Sequence, residues 1–290
     1  MSKRDCIIQP NSMALTHYAC THCGSWILWF DTREPVYCRN CMDVCNALPN
    51  EDFMYLPIAE APGKYTTHWR EVLPGLWDFW TEPQLGLGSH GWLIEREAGN
   101  IAFEAAPYYT PEAFERINEL GGVSILSASH PHGYGALWQL QEAFSPQLII
   151  HKDDLEHTKA FRVNRPIDDR EVLDEHRVML RLGGHYDGQT ALYDAEKKLL
   201  FAGDALKIDF DEHEVPRALS CHKGYHYHIP LTRDELLHYQ AVFSTFDFEH
   251  VCTPFEFGRG VSQRQAMALV NHLLQTEPHT QPVLINQLLS

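Results

Sequence analysis

The chain has 290 residues, of which 44% are hydrophobic and 11% aromatic, so it is long enough and apolar enough to bury a large core. Its 39 acidic residues against 23 basic ones give a formal net charge of -16, which repels a phosphate backbone and excludes nucleic acid as the expected partner. No apolar run reaches the roughly 18 residues that span a bilayer, and residues 1–10 lack the apolar core of a signal peptide. We therefore expect a cytoplasmic protein without a membrane partner.

The N-terminal part carries two Cys-x-x-Cys pairs. Residues 1–12 show no pattern and are interpreted as an N-terminal extension, and residues 13–50 as a separate module. Cys20 with Cys23 and Cys38 with Cys41 would form two knuckles, and the β-rich run between the pairs predicts a hairpin that brings four thiolates around one tetrahedral ion. The module resembles a zinc ribbon or a rubredoxin-like fold. This implies structural zinc, with an electron-passing iron centre as the alternative.

The remainder of the chain is predicted to be a layered α/β domain. Turn residues over 51–64 indicate a linker, and residues 65–290 show strand signals interleaved with helix signals. Helices are predicted to begin at Pro111 and at the capping boxes Thr232 with Glu235 and Ser262 with Gln265. Strands are predicted over 91–95, 100–103, 123–126, 147–150, 177–182, 190–193, 198–202 and 249–253. Residues 163–175 are charged and are predicted to form an irregular surface excursion.

Candidate metal ligands follow several of these strands. His130 and His132 stand one residue apart in a turn after the strand over 123–126, where an irregular backbone lets both imidazoles reach one cation. His185 and Asp204 also fall at strand ends, each beside glycines that allow tight turns. Two histidines alone would more often be solvent-exposed, so the downstream residues decide in favour of a metal site.

The order of these residues resembles the metallo-β-lactamase fold superfamily, whose pattern is His-x-His-x-Asp-His, then Gly-His, Gly-Asp and a final histidine in a Pro-Gly-His-Gly loop. His130 and His132 match the first two histidines, His185 the third, and Asp204 the carboxylate that touches both metals in the family. The resemblance covers residues 65–275. It implies a four-layered αββα sandwich with metals at one edge, here preceded by the small zinc-ribbon-like module.

The chain departs from the family at the second metal position. Tyr134-Gly135 stands where the family has Asp-His, Glu256 falls near the place of the last histidine, and Glu104-Ala-Ala106 replaces the common Asp-x-Gly. Three imidazoles and a carboxylate still suffice for one catalytic zinc or iron ion with an open position. Tyr134 is a candidate catalytic donor to an oxyanion or leaving group, and packing under the loop is its alternative role.

A second group of polar residues follows Asp204. In the superfamily this region commonly borders the substrate pocket, so these side chains are expected to line it, to bind an anionic substrate, or to rebuild a second metal site with Glu256. A surface loop is the alternative. The group consists of His222, Lys223, His226 and His228.

Three functions are consistent with the sequence. The first is a hydrolase that uses a metal-activated water, with Asp204 at the site, on an ester, thioester, lactone or amide of a small molecule. The second is a mononuclear iron oxygenase or redox enzyme of the same fold. The third is an inactive binding or regulatory protein, since the second metal position is degenerate and a fold alone does not fix function. A homo-oligomeric state stays open.

Overall fold

The computed structural model describes residues 14–43 and 53–288, so the extension predicted over residues 1–12 lies outside the described part. The N-terminal module contains β1 (Leu15–Cys20), β2 (Trp26–Phe30) and β3 (Tyr55–Pro57), in the order β2-β1-β3. β1 and β2 form the predicted hairpin, and β3 pairs antiparallel with β1. β3 lies within the segment predicted to be a linker. Trp26 and Leu56 share an apolar core with the main domain, so the module packs directly against that domain.

The first half of the main domain forms a seven-stranded sheet with two helices. Its elements are β4 (Thr66–Leu73), β5 (Leu76–Glu82), β6 (Gly91–Ile94), β7 (Ile101–Phe103), α1 (Pro111–Glu119), β8 (Ile125–Ser127), α2 (Leu137–Phe144), β9 (Gln147–His151) and β10 (Arg165–Ile167). The strand order is β10-β9-β8-β7-β6-β5-β4. β4 to β7 pair antiparallel, whereas β7 to β10 pair parallel. The parallel strands therefore all end at the same edge of the sheet.

The second half of the domain forms a six-stranded sheet, a small sheet and three helices. Its elements are β11 (Arg170–Val172), β12 (Arg177–Arg181), β13 (Thr190–Asp194), β14 (Leu199–Phe201), β15 (Lys207–Phe210), β16 (Pro216–Ser220), α3 (Arg233–Phe243), β17 (His250–Cys252), β18 (Phe257–Arg259), α4 (Gln263–Gln275), β19 (Val283–Leu284) and α5 (Ile285–Leu288). The large sheet has the order β11-β12-β13-β14-β17-β18, and the small one β15-β16-β19. The two predicted capping boxes are confirmed at the starts of α3 and α4.

The main domain has four layers, two of helices outside and two large sheets inside, and an apolar core lies between each pair of adjacent layers. The first lies between the seven-stranded sheet and helices α1 and α2, and contains Leu126 and Leu137. The second lies between the two large sheets and is centred on side chains such as Phe103 and Phe201. The third lies between the six-stranded sheet and helices α3 and α4. The predicted αββα sandwich with a Cys-rich N-terminal module is therefore confirmed.

One stretch of the main domain differs from its prediction. Residues 163–175 are not an irregular excursion, because they contain β10 and β11, the edge strands of the two large sheets. The charges of Arg165, Arg170 and Glu171 conceal the strands because an edge strand tolerates polar side chains facing water. Among the described helices, none combines the length and the apolar character needed to cross a membrane.

Candidate metal centre

Loops at the ends of β8, β12 and β14 bring the four predicted ligands of the main domain together. His130 and His132 flank Pro131 in a tight turn after β8, His185 lies between β12 and β13, and Asp204 follows β14. Gly203 allows the close approach of these loops. It has a φ of 55°, and a Cβ there would lie 2.6 Å from Ser129 Oγ.

The four side chains point their ligand atoms at one common position. Asp204 Oδ2 lies 3.2 Å from His130 Nε2, 3.8 Å from His132 Nδ1 and 3.5 Å from His185 Nε2, and the last two nitrogens are 3.3 Å apart. An ion held at about 2.0–2.1 Å by tetrahedral nitrogen and oxygen ligands would give edges of about 3.4 Å. The donor set therefore fits a single zinc or iron ion, and its geometry is already assembled.

The second nitrogen of each imidazole faces a partner outside the cluster. His185 Nδ1 donates to the carbonyl of Lys223 at 2.8 Å, which fixes the tautomer because a carbonyl can only accept. His130 Nδ1 lies 2.8 Å from Ser129 Oγ, and His132 Nε2 lies 3.4 Å from Tyr186 Oη. Such outer partners orient metal-binding histidines and leave the inward lone pairs available. His130 Nε2 is buried and faces inward, toward Asp204 Oδ2.

Burial and mutual charge set the protonation of the cluster. Burial lowers the pKa of His185 to about 3 and also lowers that of His132, so both imidazoles are neutral near pH 7. For Asp204, burial alone would raise the pKa, but His130 outweighs it and the pKa falls well below its usual range. For His130, burial is outweighed by the charge of Asp204, and its pKa is raised. The cluster thus presents an ionised carboxylate to imidazole nitrogens.

The four cysteines of the N-terminal module form a second cluster. Cys20 Sγ and Cys41 Sγ are 3.9 Å apart, and Cys23 Sγ and Cys38 Sγ are 3.7 Å apart. These separations are too long for disulfide bonds and match the edges of about 3.8 Å that a tetrahedron of sulfur atoms at about 2.3 Å from zinc would have. All four thiols are buried. The residues therefore fit a structural metal ion.

The described residues do not assemble a second metal position beside Asp204. Only two groups of three or more His, Cys, Asp or Glu residues there have ligand atoms within 4.8 Å of one another, and they are the two clusters above. Gly135 shows why the missing histidine cannot be restored at its place: a Cβ there would lie 2.4 Å from the carbonyl oxygen of Ala105. Tyr134 is 2% exposed and packs edge-on against Phe161 in the core. Its position favours the packing role over the catalytic one.

A cavity of about 180 Å³ adjoins the histidine cluster. His226 and Glu256 line it together with His132 and Asp204, as the sequence predicts for pocket residues. Burial raises the pKa of Glu256 to about 7, and its carboxylate accepts a hydrogen bond from Thr253 Oγ1. The remaining lining residues are the apolar Leu87, Leu206 and Phe255 together with Lys207, Tyr225 and Thr253.

Three other predicted pocket residues have different neighbours. Lys223 Nζ forms an ion pair with Glu235 at 2.5 Å, so the expectation that its amine binds an anionic substrate is not supported by its placement. His222 stacks on Tyr225 with a ring separation of 4.4 Å, and His228 lies 6.3 Å from the His222 ring. Neither is among the described residues that line the cavity.

Two buried residues at the site escaped the sequence analysis. Glu104 accepts a hydrogen bond from the backbone N–H of Ser129, next to His130, and burial raises its pKa to about 7. Tyr186 contacts the rings of His130, His132 and His185. The only signals were the replacement of the family's aspartate by Glu104 and the position of Tyr186 directly after a candidate ligand.

Comparisons with known proteins agree with this architecture. No protein-family model matches the chain. The uncharacterized protein YmaE of Bacillus subtilis (strain 168) is 29% identical over 150 residues, which are 48% of this chain and 53% of YmaE. The chain thus matches about half the length of that curated relative.

Solved structures resemble the main domain more completely. The metallo-β-lactamase from Pontibacter korlensis has a TM-score of 0.52 at 15% identity, over 72% of this chain and 98% of its own. The metallo-β-lactamase from Erythrobacter litoralis has a TM-score of 0.53 at 14% identity, over 72% and 97%. FIM-1 from Pseudomonas aeruginosa, in its mono-zinc form, has a TM-score of 0.52 at 11% identity, over 72% and 95%. The chain therefore has the metallo-β-lactamase fold, and identities this low carry no substrate with them.

Removal of one ligand should empty the histidine cluster selectively. His130→Ala and Asp204→Asn are expected to abolish one equivalent of bound zinc, because three remaining ligands hold the ion far less tightly, while the zinc held by the four cysteines is retained. Metal analysis of purified variants measures this. Asp247→Asn is the control, since Asp247 is an exposed carboxylate. Unchanged zinc content in both ligand variants would rule out the site.

Glu104 should make stability depend on pH. Its pKa in the folded protein, about 7, exceeds the ordinary value of 4.5. The folded state therefore holds this proton more tightly than the unfolded chain, and the contribution of Glu104 to the free energy of unfolding is full below about pH 4.5. That contribution is lost as the pH rises to about 7, a change of up to about 3 kcal/mol. Urea unfolding without added metal should show this decline in the wild type and a smaller one in Glu104→Gln. The exposed Glu115→Gln should keep the wild-type slope. Identical slopes in all three proteins would contradict the assignment.

Proposed function

We propose that the protein is a metal-dependent hydrolase of small carbonyl compounds: esters, thioesters, lactones or amides. The observation that carries the proposal is the convergence of three imidazole nitrogens and one carboxylate oxygen beside an open cavity. A catalytic metal site needs protein ligands on one side and room for water and substrate on the other. The cluster of His130, His132, His185 and Asp204 supplies the ligands, and the cavity beside it supplies the room, which together support the proposal.

When bound, a zinc ion at this cluster would polarise a substrate carbonyl and lower the pKa of a water molecule to about 7. The protein side chains hold the reacting groups. Tyr225 donates from its hydroxyl to the Asp204 carbonyl at 2.8 Å and stands against the His185 ring, which fixes one wall of the site. Glu256 lies on the cavity wall and is the side chain best suited to give a proton to a leaving group.

The size and lining of the cavity favour a small, mostly apolar acyl group. A volume of about 180 Å³ is below the usual range of about 300–1,000 Å³ for drug-sized ligands. Leu87, Leu206 and Phe255 supply apolar walls, while the cationic Lys207 lies at the solvent-exposed side. An inactive protein would be favoured by large side chains filling this space, so the open cavity supports turnover.

A panel of small ester, thioester, lactone and β-lactam substrates tests the proposal, with acid release or a thiol reagent as the readout where the substrate itself has no chromophore. Zinc-loaded protein is assayed with 4-nitrophenyl acetate, acetyl and butyryl thioesters, γ-butyrolactone and a chromogenic β-lactam. At least one is expected to be hydrolysed, with a loss of at least about 100-fold in Asp204→Asn and none in Asp247→Asn. The iron alternative is separated by the visible spectrum and by oxygen consumption of the iron-loaded protein. Turnover that survives Asp204→Asn unchanged would exclude this site as its source.

Glu256 should create the alkaline limb of the pH profile. The proton donor must be protonated, so activity falls as pH rises through its pKa, which is about 7 without metal and lower when a cation sits nearby. The titratable groups that act on its pKa are Asp204, His90 and Lys207. Glu256→Gln is expected to lower kcat by about 100-fold and to abolish that limb. A profile of unchanged shape in this variant would remove Glu256 from catalysis.

A further inference from the structure

The second cysteine knuckle of the N-terminal module reaches into the main domain through Asn40. This residue lies between Cys38 and Cys41 and is 4% exposed. Its amide Nδ2 donates to Ser25 Oγ at 2.8 Å, and its Oδ1 accepts from His157 Nδ1 at 2.7 Å. Its backbone carbonyl accepts from Tyr186 Oη at 3.2 Å. The knuckle is therefore hydrogen-bonded to two loops of the main domain.

Two routes lead from this knuckle to the histidine turn. Ser25 Oγ donates to the carbonyl of Pro131 at 3.0 Å, and Pro131 separates His130 from His132. Tyr186 Oη, besides contacting Asn40, lies 3.4 Å from His132 Nε2. The five residues that form these contacts are buried: Ser25, Asn40, Pro131, His132 and Tyr186. No bulk water competes with hydrogen bonds in such surroundings.

When His132 binds a cation, the hydrogen bonds along the Tyr186 route have one consistent order of donors and acceptors. His132 Nδ1 faces the ligand cluster, 3.3 Å from His185 Nε2, so the lone pair of Nδ1 goes to the ion. Nε2 then carries the hydrogen and donates to Tyr186 Oη, which in turn donates to the Asn40 carbonyl. The carbonyl thus anchors the chain that orients the imidazole.

We propose that the four-cysteine module is a positioning element of the histidine metal site, so that metal bound by the four cysteines increases metal affinity at the histidine cluster. Residues 31–43 contain no helix or strand, so the knuckle that carries Asn40 relies on its turns and on the four thiolates for its shape. Metal bound by the four cysteines fixes the position of Asn40. The Asn40 carbonyl then orients the Tyr186 hydroxyl, which in turn orients the His132 ring. By linkage, metal at the histidine cluster stabilises the four-cysteine site to the same extent.

The proposal rests on metal binding by the four-cysteine cluster and by the histidine cluster, and not on hydrolysis. Its readout is therefore metal binding, which stays measurable if no substrate is ever found. Cadmium is a suitable probe, because a 113Cd nucleus bound by four thiolates and one bound by imidazoles and a carboxylate give separate NMR signals. The two sites can be followed independently in one sample of the full chain.

Tyr186→Phe tests the orienting hydroxyl. The variant is expected to bind cadmium about 10- to 100-fold more weakly at the histidine cluster and to shift the 113Cd signal of that cluster, while the thiolate signal stays in place. Tyr193→Phe is the matched control, because its hydroxyl donates to the Asp247 carbonyl on an exposed surface. A histidine-cluster affinity within twofold of the wild type in Tyr186→Phe would overturn the proposal.

A double-mutant cycle tests the coupling itself. Cys41→Ser weakens the four-cysteine site and is expected to lower the cadmium affinity of the histidine cluster about tenfold in the wild-type background, but less than twofold in the Tyr186→Phe background. An equal loss in both backgrounds would overturn the route through Tyr186. If circular dichroism shows that Cys41→Ser does not fold, Asn40→Ala replaces it, with the same expected outcomes, since it removes the side-chain hydrogen bonds of the knuckle to Ser25 and His157 and leaves both the ligands and the Ser25–Pro131 contact in place.

Discussion

The structure depends on one buried arrangement of charge: the Asp204 carboxylate surrounded by three imidazole nitrogens. Asp204 is 6% exposed and His130 is fully buried, so water cannot solvate the anion or the lone pairs that face it. Two of the three imidazoles are neutral, because burial lowers the pKa of His132 and His185. The lone pairs of these two imidazoles and the carboxylate point inward together, and His130, whose pKa is raised beside Asp204, faces the anion from the third side. The donor set that the loops after β8, β12 and β14 assemble therefore fits a cation.

The sequence predicts this cluster because its members stand in a fixed order at strand ends. Strand and helix signals predict a layered α/β domain, the resemblance to the metallo-β-lactamase superfamily implies the αββα sandwich, and the fold confirms both. The structure brings His130, His132, His185 and Asp204 together, and their binding of metal stays a prediction. Local sequence patterns do not predict a strand whose formation depends on pairing with a segment distant in the chain. β3 is a strand only because β1 lies beside it.

Side chains with several available partners were equally beyond sequence reasoning. Lys223 is a cationic side chain that could bind an anion. Its amine instead forms an ion pair with Glu235, twelve residues later in the first turn of α3. Glu104 and Tyr186 show the opposite case: Glu104 is visible in the sequence only as a departure from Asp-x-Gly and Tyr186 has no motif, yet both adjoin the ligands. Which neighbour a polar side chain meets depends on how the loops fold over one another, and one sequence does not give that geometry.

The departures from the two-metal pattern form a consistent set. Gly135 is required because the chain passes within reach of the Ala105 carbonyl, and the neighbouring Tyr134 turns into the core. Glu104 takes the place of an aspartate that the family commonly has there. Its carboxyl is held by the Ser129 backbone instead of facing the cavity. The space near Asp204 is left to the apolar cavity and Glu256. Among the described residues, the space beside Asp204 is thus a pocket wall and not a second cluster of metal ligands.

The N-terminal module packs against the main domain beside this site, and the proposed coupling between the two metal clusters depends on that packing. Trp26 anchors it, because its indole N–H donates to the Pro107 carbonyl at 2.8 Å within the shared core. The two ends of the Tyr186 contact then serve different needs: a ligand imidazole needs an acceptor for its outer N–H, and the hydroxyl that accepts it needs a fixed acceptor of its own. Under the proposed coupling, a backbone carbonyl inside a metal-bound knuckle would meet the second need better than a loop held by its turns alone, because thiolates that bound an ion would also fix the carbonyl. This explains physically why a four-cysteine cluster and a histidine cluster are packed against each other in one chain.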